Sequence, residues 1–324
     1  MTHSNFIPFI NNALNILPFS QGEIFSDYHE FSFDLTVFYL FCTILTESSF
    51  SPALGKKDRL SLINHAISNN VTVWSSVPSS IARIKLLRPD EKYQSFIKIL
   101  FLSGEPFRLD ILKYCYENLS IKNIFNFYGL TETGVENLYF ECSPSDLDRF
   151  SEQSFVPIGS PLPGNEIMLT DDKELLIGGQ QITPGYIGGR EKNRFEIIDG
   201  KRWFHSGDIV EKIDDVYFCK GRLDNQVKVS GYRIELLDIE AALRKITGVV
   251  EAVCFVNDNS PDNIFITGVV QIADFDENKL KIELKKRIPY YMIPQKIFPI
   301  NTFGTNQSGK IDRAGVKKTF SICP

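Results

Sequence analysis

The sequence is poor in the residues that announce a metal centre or an exported protein. It carries four histidines, His3, His29, His65 and His205, and six cysteines, Cys42, Cys115, Cys142, Cys219, Cys254 and Cys323. None falls at metal-ligand spacing and no Cys-x-x-Cys pair occurs, which argues against a structural zinc site. Scattered thiols fit the reduced cysteines of a cytoplasmic chain better than a disulfide framework. A long hydrophobic span is lacking too. The longest apolar run, Phe31 to Leu45, is interrupted by Asp34 and falls short of the ~20 residues a membrane-crossing helix requires. Met1-Thr-His-Ser-Asn5 shows no basic start leading into an apolar stretch, so a cytoplasmic protein with no membrane partner is expected. Positive charge is also scarce. With 35 basic against 40 acidic residues the net charge is −5, and no clustered basic face is present to recruit nucleic acid. The one basic cluster, Lys281 to Arg287, reads as the wet side of a helix.

What is abundant is phenylalanine, 26 residues against two tryptophans and three methionines, in a 324-residue chain that is 43% hydrophobic. That suffices for the cores of two or more domains. The first part alternates helical and strand-like patterns. We read a helix over 60–68, a buried strand over 71–74, a second over 96–102 ending at Ser103-Gly104, a helix over 109–119 and a strand over 123–127. This rhythm predicts a parallel α/β layer. From Pro157 to Asp224, short strands punctuated by Gly and Pro suggest a small β-rich subdomain. Beyond it, a strand over 226–229, a helix over 237–246, strands over 249–255 and 264–272 and a helix over 278–287 form a small α+β unit. The predicted boundary is Asp224, dividing residues 1–222 from 225–324.

Four segments carry possible chemistry. Tyr128-Gly129-Leu130-Thr131-Glu132-Thr133 directly follows a predicted strand, and ligands of open α/β sheets sit at the carboxyl ends of strands. Gly129 allows a tight turn and close backbone approach to a ligand, and Thr131 beside Glu132 can hold a phosphate and its Mg²⁺. Alone, the string is equally an ordinary loop. His205-Ser206-Gly207-Asp208 reads as a second such loop, whose carboxylate can accept ribose hydroxyls or simply sit in a turn. The third segment runs from Gly221 to Glu240, with two glycines bracketing a strand ahead of a helix start. The fourth is Ile288-Pro-Tyr-Tyr-Met-Ile-Pro294 followed by Asn306-Gln-Ser-Gly-Lys310-Ile-Asp-Arg313, whose Lys310 is either a solvated side chain or a point charge able to reach an active site.

In this order and spacing the segments resemble the ATP-dependent adenylate-forming enzymes, the superfamily of acyl-CoA synthetases, luciferases and peptide-synthetase adenylation domains. The resemblance covers essentially the whole chain. Asp224-Asn-Gln-Val-Lys228, Gly231-Tyr-Arg-Ile-Glu235, Tyr291-Met-Ile-Pro294 and Gly309-Lys-Ile-Asp-Arg313 look like the amino-acid-activating members. Phe31-Ser-Phe-Asp-Leu-Thr-Val-Phe38 and Val73-Trp-Ser-Ser-Val-Pro78 are similar to D-alanine–carrier protein ligases. The resemblance implies an incomplete large α/β domain with a small β subdomain, followed by a mobile α+β domain. It implies ATP and Mg²⁺ as cofactors, and a small amino acid and a phosphopantetheinyl carrier protein as partners.

By the same resemblance Asp34 pairs with the substrate ammonium, which suits a carboxylate in a Phe-rich stretch that is costly unless paired. Thr131 binds the α-phosphate, Glu132 the Mg²⁺, and Asp208 and Arg222 the ribose, with Tyr128 against the adenine. Lys310 bridges the substrate carboxylate and the phosphate as a fixed positive charge. Asp224 is the hinge for a rotating C-terminal unit, and Gly231 lines the path of the thiol. Leu35, Phe38, Ser103, Phe127, Val135 and Glu136 surround the substrate side chain, where the bulk of Phe38 and Phe127 favours Ala, Gly or Ser. Ser103 stands where D-alanine ligases carry Cys, which leaves the stereochemistry open. Glu136 is expected to point outward, because Glu is rarely buried unpaired; turned inward, it would favour a cationic or hydroxylated side chain.

The family's Gly-rich phosphate loop belongs just ahead of a segment like Met1-Thr-His-Ser-Asn5, and no substitute for it occurs elsewhere. The expectation is therefore a partner in the form of a missing N-terminal segment or chain. Two alternatives accompany the ligase reading: a non-catalytic remnant or one piece of a split enzyme, and an acyl-CoA ligase.

Overall fold

Runs of Val, Ile, Leu and Phe, too apolar for a strand with one wet face, set the architecture of the N-terminal part. In the computed structural model, which describes residues 1–26, 31, 33–53, 58, 61–93, 96–188, 194–223, 226–229, 231–257, 264–304 and 311–321, the chain divides into two compact units, Met1–Leu223 and Asp224–Pro324. The first holds a seven-stranded sheet made of β1 (Ile24–Ser26), β2 (Ser49–Phe50), β3 (Val73–Ser76), β4 (Ile99–Leu102), β5 (Asn123–Tyr128), β6 (Leu138–Cys142) and β7 (Ser160–Pro161), in the order β2-β1-β3-β4-β5-β6-β7. From β2 to β5 neighbours run parallel, and β6 and β7 turn antiparallel. Every residue of β3 and β4 is buried, as a parallel strand covered on both faces requires.

The period of two along these strands divides the core. Val73, Ile99, Phe101, Phe125 and Phe127 face α1 (His3–Ile16) and α2 (Leu35–Leu45) through Phe9, Ile10, Ala13, Phe38, Tyr39 and Cys42. Trp74, Leu100, Leu102 and Ile124 face the opposite way, toward α3 (Leu62–Ser68), α4 (Pro78–Leu87) and α5 (Leu109–Glu117). A short helix, α6 (Asp146–Arg149), precedes a second sheet formed by β8 (Asn165–Leu169), β9 (Glu174–Gly179), β10 (Phe195–Ile198), β11 (Lys201–Ile213) and β12 (Val216–Arg222). Tyr128, Leu130 and Leu138 join it to the first sheet through a core with Leu175, Ile177, Phe204 and Val210.

The second unit begins with a hairpin of β13 (Gln226–Val229) and β14 (Tyr232–Glu235). Helix α7 (Leu236–Arg244) and α8 (Glu277–Lys285) pack on a sheet of β15 (Val249–Asn257), β16 (Phe265–Ile272) and β17 (Lys296–Ile300), with Ile239, Leu243, Ala252, Ile266, Leu280 and Leu284 at the core. Glu240 is buried there, and its carboxylate accepts the N–H of Cys254 at 2.7 Å and the guanidinium of Arg313, the first residue of α9 (Arg313–Phe320). A buried carboxylate so answered escapes the penalty of an unpaired charge.

The α/β class expected from the alternating patterns is the class observed. One local reading is corrected: His205 to Asp208 is not a loop between elements but part of the 13-residue strand β11, thrown out of register with its neighbour β9 between His205 and Ile209. The five described cysteines, Cys42, Cys115, Cys142, Cys219 and Cys254, are free thiols. No helix among the described residues is long and apolar enough to cross a membrane.

Candidate functional site

The carboxyl ends of β3, β4 and β5 lie side by side, as their parallel pairing dictates, and they place Ser76, Ser103 and Tyr128 along one edge. The N–H of Ser103 donates to the carbonyl of Ser76 at 3.3 Å. Past β5 the chain makes a single 3₁₀ turn, Thr131–Thr133, closed by Gly134 in the left-handed region at φ 86°. From this turn Thr131 donates its hydroxyl to Asp34, which stands immediately ahead of α2. Glu132 receives the hydroxyl of Tyr186, and its carbonyl accepts the N–H of Thr183 at 2.9 Å.

Solvent reaches the Asp34 side chain, yet protein surrounds its carboxylate densely, and that burial pushes its pKa above the ordinary value. The bonds from Thr131 and the Leu35 N–H oppose the rise, while the nearby charge of Glu132 adds to it. Asp34 forms no ion pair with a described residue. The pair of carboxylates at this turn makes the mouth electronegative, a setting that favours a cation.

A second cluster is built on Asp208, which is only 3% exposed. The register shift in β11 turns it inward, where it takes the hydroxyl of Tyr128 on Oδ2 and the Nη1 of Arg222 on Oδ1 at 2.6 Å. Arg222 also reaches the carbonyl of Ser206 at 3.2 Å. Burial, followed by the charge of Asp208, pushes the Tyr128 phenol far above its usual pKa, so it stays a donor. A carboxylate offers about four acceptor positions; two are engaged here, which leaves acceptor capacity for further donors.

Four of the residues expected around a substrate side chain, Leu35, Phe38, Phe127 and Val135, come together between α2 and the sheet. Phe38 stacks on Phe101 with ring centres 4.5 Å apart, Phe101 on Phe127 at 4.3 Å, and Phe127 on Tyr139 at 5.9 Å. Leu35 and Val135 are buried in the same core. Gly129 makes room for the chain itself: a Cβ there would lie 2.1 Å from the Val135 carbonyl oxygen. Glu136 does not point outward as expected. It is 3% exposed, and its carbonyl accepts the side chain of Gln181 at 2.6 Å.

Gly231 lies in the second unit, at φ 80° in the turn ahead of β14, while Asp224 and Lys310 fall outside the described residues. The sequence assigns no role to Tyr186, nor to Ser76 within Val73-Trp-Ser-Ser-Val-Pro78. The first sits in a Gly- and Pro-punctuated stretch with no signal of where its hydroxyl goes. The second ends a short strand, and its buried hydroxyl has no partner among the described residues. No cluster of three or more His, Cys, Asp or Glu able to hold a metal occurs among the described residues. A Mg²⁺ ion would have to take Glu132 together with ligand oxygens, the usual way Mg²⁺ is held beside phosphates.

Residues 1–187 match the family described as AMP-binding enzyme. The chain belongs to that family. It thereby falls within the adenylate-forming superfamily, and curated relatives point the same way. The D-alanine–D-alanyl carrier protein ligase of Staphylococcus epidermidis is 32% identical over 304 residues, which cover 90% of this chain and 62% of the relative. The ligase of the same name from Staphylococcus haemolyticus is 30% identical, again over 90% of this chain and 62% of the relative. The chain thus spans about three fifths of the length of the curated relatives it matches. Among solved structures, the Vibrio cholerae adenylation domain AlmE, in complex with glycyl-adenosine-5′-phosphate, aligns with a TM-score of 0.83 at 21% identity, over 99% of this chain and 63% of that one. Holo-PA1221, a protein containing adenylation and PCP domains, aligns at 0.79 and 20% identity, over 95% and 55%. At such identities these two share the adenylation-domain fold with this AMP-binding family member.

Proposed function

We propose that the chain belongs to an amino-acid-activating ligase, which uses ATP and Mg²⁺ to form an aminoacyl-adenylate and passes the acyl group to the phosphopantetheine thiol of a carrier protein. The observation that carries this reading is Asp34: a charge at the mouth of the site, crowded by protein and joined to Thr131, with no cationic partner among the described residues. An acyl-CoA ligase has no use for such a group, whereas an α-ammonium fits it. Beneath it, the stack of Phe38, Phe101 and Phe127 leaves little depth and favours a small side chain such as that of Ala, Gly or Ser. D-alanine is the substrate named for the curated relatives.

In this reading ATP supplies the phosphorus that the substrate carboxylate attacks, with pyrophosphate as the leaving group. Asp208, held by Tyr128 and Arg222, orients the ribose. Tyr128 borders the adenine, Thr131 turns its single hydroxyl proton from Asp34 to the α-phosphate, and Glu132 faces the Mg²⁺. Leu35, Ser103 and Val135 complete the side-chain pocket. Lys310 adds a positive charge where negative charge grows in the transition state. The second unit, residues 225–324, swings on Asp224, and Gly231 leaves space for the thiol.

The exposed apolar side of α1 and α2 supports a second reading, in which the chain works with a further polypeptide part. Ile7, Leu40, Phe41, Ile44 and Leu45 are all solvent-exposed, Ile44 at 70%, and an apolar patch of this kind marks an interface.

Amino-acid-dependent ATP–pyrophosphate exchange across small D- and L-amino acids tests the proposal. Exchange above that of a Lys310→Ala control establishes the activity and names the substrate. Silence from folded protein sinks the stand-alone ligase. Recovery on adding the front part of a relative then selects the two-part enzyme, and continued silence selects a non-catalytic remnant.

A further inference from the structure

The segment that presents Asp208 is held from outside by a line of three charged side chains. His205 pairs with Leu176 and Ile209 with Glu174, so β11 gains extra residues relative to β9 over Ser206, Gly207 and Asp208. Gly207 takes φ 75°, a left-handed conformation that nothing in a regular strand maintains. Glu174 grips this bulge with both oxygens: Oε1 accepts the Gly207 N–H at 2.9 Å, and Oε2 meets Nδ1 of His205 at 2.9 Å. On the other side of the ring, Nε2 of His205 meets Oε2 of Glu196, from β10, at 2.9 Å. A neutral imidazole has one donor and one acceptor, so only the imidazolium satisfies two carboxylates at once.

We propose that Glu174 and His205 are positioning residues for Asp208, and that the bulge keeps its carboxylate aimed at the nucleotide only while His205 is an imidazolium. The proposal rests on the reading of Asp208 as the ribose-binding group. The charged groups facing His205 are Glu174 from β9 and Glu196 from β10. Burial lowers the pKa of the ring, but the two carboxylates outweigh it, and the net effect is a rise above 6.5. A raised histidine pKa contributes stability that is fully present below the unfolded value and is lost as pH rises through the folded one. Above that point the neutral ring donates to only one of the two carboxylates and turns a lone pair on the other, so the ion-paired line that fixes Glu174 under the Gly207 N–H is broken.

The test is equilibrium binding of ATP–Mg²⁺ and of 2′,3′-dideoxy-ATP–Mg²⁺ to the intact chain, at about pH 6 and about pH 9. Since two hydrogen bonds to a charged group are lost with the hydroxyls, the wild type should prefer ATP by about tenfold or more at the lower pH. That preference should shrink by about threefold or more at the higher pH. His205→Gln and Glu174→Gln should show the small preference at both pH values. His205→Lys, cationic throughout, should keep the large one at both. Because only the ratio of two nucleotides is read, a general loss of stability moves neither arm. If His205→Gln and Glu174→Gln retain the wild-type ratio and its pH course, the positioning role is overturned while the ribose reading stands. If the wild type itself does not distinguish the two nucleotides at either pH, the ribose reading fails and the inference falls with it.

Discussion

Thr131 donates its hydroxyl to the carboxylate of Asp34 across 97 residues of sequence. The bond ties the turn after β5 to the entrance of α2 and brings together the two residues proposed to hold the phosphate and the ammonium. Glu132, adjacent in the chain, adds a second carboxylate close enough to hinder ionisation of the first. A cation placed beside such a pair favours ionisation of both.

Replacing Asp34 should therefore separate stability from function. Burial raises its carboxyl pKa, so the ionised form disfavours the fold: stability is greatest below the unfolded pKa and declines as pH rises through the folded one. At neutral pH Asp34→Asn should raise Tm by about 2 °C or more, while the KM for the amino acid rises about tenfold or more. Substrate binding, which needs the ionised form, should fail on acidification at a higher pH than an ordinary carboxylate would set. Thermal melts and exchange kinetics check both halves, and an unchanged KM would remove the ammonium role.

Asp208 presents the opposite case. Its charge is answered by Arg222 and Tyr128, all three at least largely buried. Asp208→Ala removes the buried carboxylate that pairs with Arg222 and should cost about 3–5 kcal/mol in denaturant unfolding. Tyr128→Phe removes one hydrogen bond and should cost about 1 kcal/mol. An Asp208→Ala protein as stable as wild type would show that water substitutes freely in the cluster.

These clusters explain what the sequence could and could not convey. The strand Gln226–Val229 and the starts of α5 at Leu109 and β5 at Asn123 were legible, because alternation and flanking polar residues mark them sharply. Helix α2 was not, since its Phe- and Leu-rich run shows no polar face, and α1 carries Pro8 within its span. The residues of the candidate site were marked only through resemblance. That Tyr128 and Asp208, 80 residues apart, share a proton donor and acceptor depends on a register shift that no local pattern announces. Glu136 misled for a related reason. A rule about exposed glutamates cannot register the tight contact of Gly129 with the backbone of Val135 and Glu136, which draws that segment inward.

Gly129→Ala tests this contact. The added methyl carbon would sit 2.1 Å from the Val135 oxygen and 2.4 Å from the Glu136 Cα. Backbone cannot rotate away as a side chain can, so a loss of about 1–3 kcal/mol or more is expected, together with weaker amino-acid binding as Val135 shifts. Gly304→Ala, where a Cβ meets nothing within 4 Å, should stay within about 0.5 kcal/mol of wild type. Equal effects at the two positions would mean that the close approach relaxes at no cost.

The thiol-path role proposed for Gly231 predicts that the two half-reactions separate. The Gly231 φ of 80° lies in the left-handed region, so any side chain there costs about 1–2 kcal/mol before it meets a ligand, and Asn tolerates the conformation better than Leu. With Gly231 on the thiol path, Gly231→Asn and Gly231→Leu should leave pyrophosphate exchange within about twofold of wild type, because adenylate formation needs only the hairpin's fold. Transfer to the carrier thiol should fall progressively with side-chain size, by about a hundredfold for Leu, the scale of a misplaced reacting group. Both rates are measured on one preparation, by exchange and by acyl-carrier formation. Parallel losses in the two would implicate strain in the hairpin and remove Gly231 from the path.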